Sequence, residues 1–137
     1  MAIWPWVAFA LAGIYWEGRQ LGLDETVPNR LRFHAIPVAI SVLYHGRAHD
    51  YTAFKSLAML FQSNEPLDAA IADAIDETPP EDDATYYWVA DDRGMADFVI
   101  GAFYCFGPTT RSLYAFYFLV LGASCLLFLC DAGRHAS

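Results

Sequence analysis

Two histidines four residues apart, His45 and His49, with Asp50 directly after them, form the arrangement in this sequence best suited to chemistry. On a helix, residues at i and i+4 share a face, so both imidazoles could reach one zinc or haem iron, and the aspartate could ligate or orient a ring. Other features weigh against a site. Gly46 weakens a helix between the histidines, and no Glu stands where a metalloprotease helix carries its general base. A zinc site also needs a third protein ligand. The plain alternative is two polar residues at an interfacial turn.

His34, beside Arg30 and Arg32 at the entrance to an apolar stretch, is a second candidate. A neutral imidazole there could hold a haem or a chlorophyll-type pigment, or it could simply mark a membrane boundary. Asp82, Asp83, Asp91, Asp92 and Asp97 could gather around a hard cation such as Ca²⁺, but they lack EF-hand spacing. Runs of charge are ordinarily solvated, and Arg93 among these acids predicts local ion pairs. No G-x-S-x-G, P-loop, Rossmann glycine pattern or Cys–His–Asp arrangement occurs. No motif requires a cofactor, so any metal or pigment would rest on His34 or on His45, His49 and Asp50.

The elements that would position these residues are helical. Ser112 to Cys130 is a run of 19 uncharged residues bounded by Arg111 and Asp131, and as a helix it would reach about 28 Å. That predicts a transmembrane span, with Tyr114 and Tyr117 in an aromatic belt. A first span is expected over 2–23, with Trp4, Trp6 and Trp16 as anchors and with Glu17 and Arg19 snorkelling. A cleaved signal peptide is its rival, and the absence of a basic leader segment favours an uncleaved anchor. Small residues (Ala8, Ala12, Gly13, Ala115, Gly122, Ala123, Ser124) would let these spans pack together or against a partner. Neither span has a charged or histidine residue in its middle, which argues against a transporter acting alone.

Residues 24–111 form an acidic segment, expected to be mostly helical and membrane-proximal, and 131–137 a short tail. Residues 33–46 are uncharged but only 14 long and contain Pro37, which suits a re-entrant or interfacial segment. Tyr51, Phe54, Leu57, Ala58 and Phe61 repeat at helical spacing. Pro66 opens a further helix, with Leu67, Ala70, Ile71, Ala74 and Ile75 on one face and Asp68, Asp73 and Asp76 looking outward. Residues 77–83 read as a solvated acidic loop and 85–90 as a short extended piece. Met95 to Phe106, closed by Gly107-Pro108, reads as a helix lying along the membrane surface.

The stretches Asp92-Arg93-Gly94-x-x-Asp97-Phe98, Ala102-Phe103-x-x-Phe106-Gly107 and Arg111-Ser112-Leu113-Tyr114 resemble a pattern in uncharacterised bacterial inner-membrane proteins. The resemblance brings no activity with it.

Composition narrows the function classes. Charged residues make up 18% of the chain and hydrophobic residues 56%, whereas a soluble domain carries about 25% charged. The deficit lies at the two ends, because 15 of the 16 acids fall between Glu17 and Asp97. A net charge of −8 argues against nucleic acid and against a basic lipid-binding patch. Cys105, Cys125 and Cys130 give no disulfide framework and no C-x-x-C pair. One lysine against seven arginines is the usage of a GC-rich genome.

The reading is an all-α membrane protein with two transmembrane helices, in a bacterial inner membrane. Its role is that of a non-catalytic accessory subunit of a larger complex, respiratory or photosynthetic in type. Its partners would be other membrane subunits and the lipid bilayer. The alternative is a membrane-anchored sensor that binds a metal, pigment or cation through His45 and His49. The acidic segment is expected on the extracytoplasmic side, with both termini inside.

Overall fold

The computed structural model describes residues 2–23, 27, 31–46, 54–59, 66–79 and 93–135, and every regular element among them is helical. The chain opens with α1 (Trp4–Gln20). A central helix follows over 31–45, built from a π-helical turn, Leu31–Ala35, then α2 (Ile36–Ile40), then a second π-helical turn, Ser41–His45. Next come α3 (Lys55–Met59), α4 (Leu67–Asp76), α5 (Arg93–Phe106) and α6 (Thr110–His135).

Pro37 explains the composite helix. Proline offers no N–H and its ring crowds the carbonyl four residues back, so a wider turn before it relieves the clash. Ser41 then donates its hydroxyl to the Pro37 carbonyl at 2.6 Å, a side-chain bond that competes with the regular ladder where the second wide turn begins.

Every residue from Ala35 to Ser41 is at most 2% exposed. A helix apolar on all sides has to be surrounded, and here protein surrounds it. Phe54 just before α3 and Leu57 within it, Leu67, Ala70, Ile71 and Ala74 of α4, Ala96, Val99, Ala102 and Phe103 of α5, together with Val27 and Leu113, complete one core cluster. The apolar residues of 33–46 thus form the centre of a helical head. The α4 face is the expected one, with Ile75 half-buried and Asp73 and Asp76 exposed.

α5 packs between the central helix and α6. Phe98 meets Phe116 edge-on at 5.2 Å. A Cβ on Gly101 would stand 2.9 Å from the Phe116 ring, so only glycine admits this approach. Gly107, at φ +91°, ends α5 and turns the chain into α6.

α6 starts two residues before the expected span and runs five beyond it. Thr110–Arg134, 25 residues, is one helix long and apolar enough to cross a membrane. Among the described residues no second helix meets that length. α1 has 17 residues, about 26 Å, and it stops at Gln20, short of the Leu23 that was expected. Gly22, at φ +72°, donates its N–H to the Arg19 carbonyl and closes the helix there.

Candidate functional site

The histidine motif divides at Gly46. The helix carrying His45 ends there, with Gly46 in the left-handed region at φ +79°, so no continuous helix leads from His45 toward His49. His49 and Asp50 lie outside the described residues. His45 spans the head: its Nε2 lies 3.1 Å from the Ala74 carbonyl near the end of α4, and its ring rests on Phe54 at 5.5 Å. A carbonyl only accepts, so Nε2 carries a proton and donates it here. His34 is exposed on the first π-helical turn. Among the described residues, no three His, Cys, Asp or Glu side chains converge as a metal site would require. Of the acidic group proposed for a cation, Asp97 is described; it pairs with Arg93 at 3.9 Å on an exposed surface, as expected. Asp82, Asp83, Asp91 and Asp92 lie outside the described residues, as do 85–90.

The densest polar site is one the sequence did not suggest. Asp68, placed in the first turn of α4, does not look outward as expected. Its Oδ1 accepts the Thr110 backbone N–H at 2.7 Å and its Oδ2 accepts the Thr110 hydroxyl at 3.3 Å. Thr110 is the buried first residue of α6, so a carboxylate 42 positions earlier caps the long helix. The first N–H groups of a helix have no partner within it, and the helix dipole favours an anion there. The turn adds a local layer. Ser112 donates its N–H to Thr109 Oγ1 at 3.3 Å and its hydroxyl to the Phe106 carbonyl at 3.1 Å. The head and α6 are thereby joined through a closed polar knot. Glu77 plays the same part for α3, accepting the Ser56 N–H at 2.9 Å.

From the knot, α6 runs out along α1. Tyr114 Oη donates to the Tyr15 carbonyl at 3.3 Å and sits where a Gly18 side chain would otherwise lie. The Tyr15, Tyr114 and Phe118 rings cluster, with centroids 5.0 to 5.3 Å apart. Further along, Leu11 reaches Gly122, and Ile3 and Trp4 face Leu126, Leu129 and Cys130. The numbers fall on α1 as they rise on α6, so the two helices are antiparallel. Of the small residues noted in the sequence, Gly122 serves this seam, while Gly13 meets open space.

Much of the outer surface of this hairpin is uncovered by protein. Trp4, Trp6, Phe9, Ile14 and Trp16 on α1 and Leu119, Leu127 and Phe128 on α6 are exposed. Ser124, on the exposed side of α6, donates its hydroxyl back to the Val120 carbonyl at 2.8 Å. The hairpin can therefore associate with apolar surroundings, while the knot fixes the start of α6 to the head. No family model, curated protein or solved structure matches the chain.

Proposed function

We propose that the chain is an integral membrane protein, with α6 crossing the bilayer and α1 beside it as a shorter second span. It serves as a non-catalytic accessory subunit that presents its helical head at the membrane surface. The observation that carries this reading is the exposure of α6, whose most apolar 18-residue stretch is only 6% buried. A core helix of a soluble protein would be covered by its neighbours, as the central helix is. At about 38 Å, the 25 residues exceed a hydrocarbon core of about 30 Å. Trp4 and Trp6 at one end of the hairpin, and Trp16 and Tyr117 at the other, match two aromatic belts. In hydrocarbon the Ser124 hydroxyl needs an internal acceptor, and Val120 provides one. The deficit of α1 is a few ångströms, which a bilayer accommodates by local thinning.

The subunit role is supported by the face of α1 turned away from α6. Trp6, Phe9 and Trp16 share it, and such residues are enriched at the centres of protein interfaces. The partner is a larger membrane assembly, and the compartment we infer is a bacterial inner membrane, with the head outside the cytoplasm. Two experiments test this in sequence. Membranes washed with alkaline carbonate should retain the protein, and release into the wash would end the membrane reading. Extraction in mild detergent should give co-migration with a large complex on a native gel, lost in the Phe9→Ala/Trp16→Ala variant. A free, monodisperse wild-type protein would end the subunit reading. Cys105 is exposed on α5, so an impermeant thiol reagent applied to intact cells should label it, and protection would place the head inside.

A further inference from the structure

α1 and α6 each carry a line of exposed residues on the side turned away from the other. On α1 it runs through Trp6, Phe9, Gly13 and Trp16, and on α6 through Tyr117, Val120, Ser124 and Leu127. Both lines alternate steps of three and four, the spacing of a helix-packing seam. At about 100° per residue, they lie about 160° round their helices from the residues that join the hairpin. Those are Leu11 and Tyr15 on α1, and Phe118 and Gly122 on α6. We infer that the α1 line of one chain docks on the α6 line of a second copy in the same bilayer, with Phe9 seated on Ser124 and Val120 on Gly13. The inference rests on the membrane reading above and names the partner of the α1 face described there.

Depth fixes the register. Copies with one orientation in one bilayer sit at one depth, so α1 of one meets α6 of the next at the levels found inside the hairpin. There Leu11 is level with Gly122 and Tyr15 with Phe118, and each step forward on α1 is a step back on α6. Phe9 is therefore level with Ser124, and Gly13 with Val120. Each of these pairs sets a large side chain against a small one, in opposite senses. A Cβ on Gly13 would meet nothing within 4 Å in its own chain, so the hollow there is open. Ser124 stands beside Ala123, and its hydroxyl is already bonded to the Val120 carbonyl, so it brings no unmet polar group to the contact. The flanking pairs, Trp6 with Leu127 and Trp16 with Tyr117, are large on both sides and mark the ends of the close approach. In lipid, where packing is a main attraction between helices, such small residues let backbones come near. A foreign helix would have to match this pattern independently, whereas a second copy already carries it. The two lines face opposite ways, so each copy offers α1 to one neighbour and α6 to the other. Such a heterologous contact builds a ring or a row.

The test is disulfide trapping in native membranes, using the full chain with Cys105, Cys125 and Cys130 replaced by alanine. Two differently tagged forms are co-expressed, one with Phe9→Cys and the other with Ser124→Cys, and the membranes are oxidised with copper phenanthroline. A dimer carrying both tags should form, as it should for Gly13→Cys with Val120→Cys. Same-site pairs, Phe9→Cys with itself and Ser124→Cys with itself, should give at least tenfold less. Gly13→Leu fills the hollow with a Cβ that meets no atom of its own chain. It should lower the yield of the mixed Phe9→Cys and Ser124→Cys dimer at least fivefold, and Val120→Gly should restore it. An intramolecular Leu11→Cys/Gly122→Cys disulfide, formed equally with and without Gly13→Leu, reports that the hairpin is intact. Absence of the mixed dimer, same-site dimers of equal yield, or indifference to Gly13→Leu would overturn the inference. If a large complex persists on the native gel in that event, the subunit reading stands and a different protein covers α1. Failure of the membrane reading is separate, because the carbonate wash reports it before any oxidation.

Discussion

The middle of the central helix, Ile36–Ile40, and the long α6 are both apolar on every side, and the fold treats them in opposite ways. Ile36 and Ile40 are wholly buried where α2 packs on α5 and α4, while Leu127 and Phe128 are each 73% exposed. Hydropathy alone does not separate the two. Length and neighbours do: a stretch of about 15 residues can be enclosed by three short helices, and one of 25 cannot be enclosed by a head this small. Where the regions meet, the apolar contact of Phe98 with Phe116 is joined by polar residues placed where a helix end would otherwise leave donors unpaired.

The largest effect expected from that contrast is a charge in the head. Ile40→Asp puts a carboxylate into a fully buried site with nothing to pair it, and should cost more than about 4 kcal/mol. The head should become protease-sensitive while α6 still holds the chain in the membrane fraction. If both properties vanish together, head and hairpin fold as one unit and the comparison breaks.

The polar knot comes next. Asp68→Ala leaves the buried Thr110 N–H and hydroxyl without their acceptor, at a cost of about 1 to 3 kcal/mol. Asp68→Asn keeps one oxygen acceptor and should recover about half. Amide hydrogen exchange at Thr110 checks this directly, since faster exchange in Asp68→Ala than in Asp68→Asn is required. Unchanged protection would mean that α6 needs no cap from the head.

This carboxylate also marks the limit of what the sequence discloses. The helices could be read from it: Ser112–Cys130 lies inside α6, the apolar face of α4 is the predicted one, and Gly107 ends α5 as expected. Those features depend on residues within one turn of each other. Asp68 was assigned to solvent because its own helix offers it no partner, and its true partner is 42 residues away. The packing of the central helix is hidden from the sequence for a related reason. Its uncharged 14 residues look the same whether protein or lipid covers them, and the covering residues, Phe54 through Phe103, are scattered over three other helices. At the histidine pair the local signal was visible in the sequence: Gly46, whose left-handed backbone ends the helix after His45, while His49 and Asp50 lie outside the described residues.

Within the hairpin, Gly18→Ala should displace Tyr114 and break its bond to the Tyr15 carbonyl, costing about 1 kcal/mol. Tyr114→Phe removes the hydroxyl that collides, so the double variant should recover part of the loss. A double-mutant cycle with no coupling would show that α1 and α6 do not meet at this point. His45→Ala should cost a similar amount by releasing the Ala74 carbonyl, and His45→Gln, which retains a donor, should cost less.

The smallest effect is the most direct statement of the opening contrast. Leu127→Ala trims a side chain that touches little protein, so the thermal midpoint of the head should move by no more than the experimental scatter, because surface changes of this kind stay within about 0.5 kcal/mol. The same truncation at Ile40 leaves a cavity in a closed core and should cost about 2 to 5 kcal/mol. Leu127→Ala should instead be felt by the bilayer, weakening insertion of α6 by about 0.5 kcal/mol on a biological insertion scale. That is measurable as a lower membrane-inserted fraction when α6 is made marginal by a second polar substitution. A thermal shift for Leu127→Ala comparable to that for Ile40→Ala would mean that protein, and not lipid, covers this face of α6. The apolar surface of the hairpin would then be an interface along its whole length.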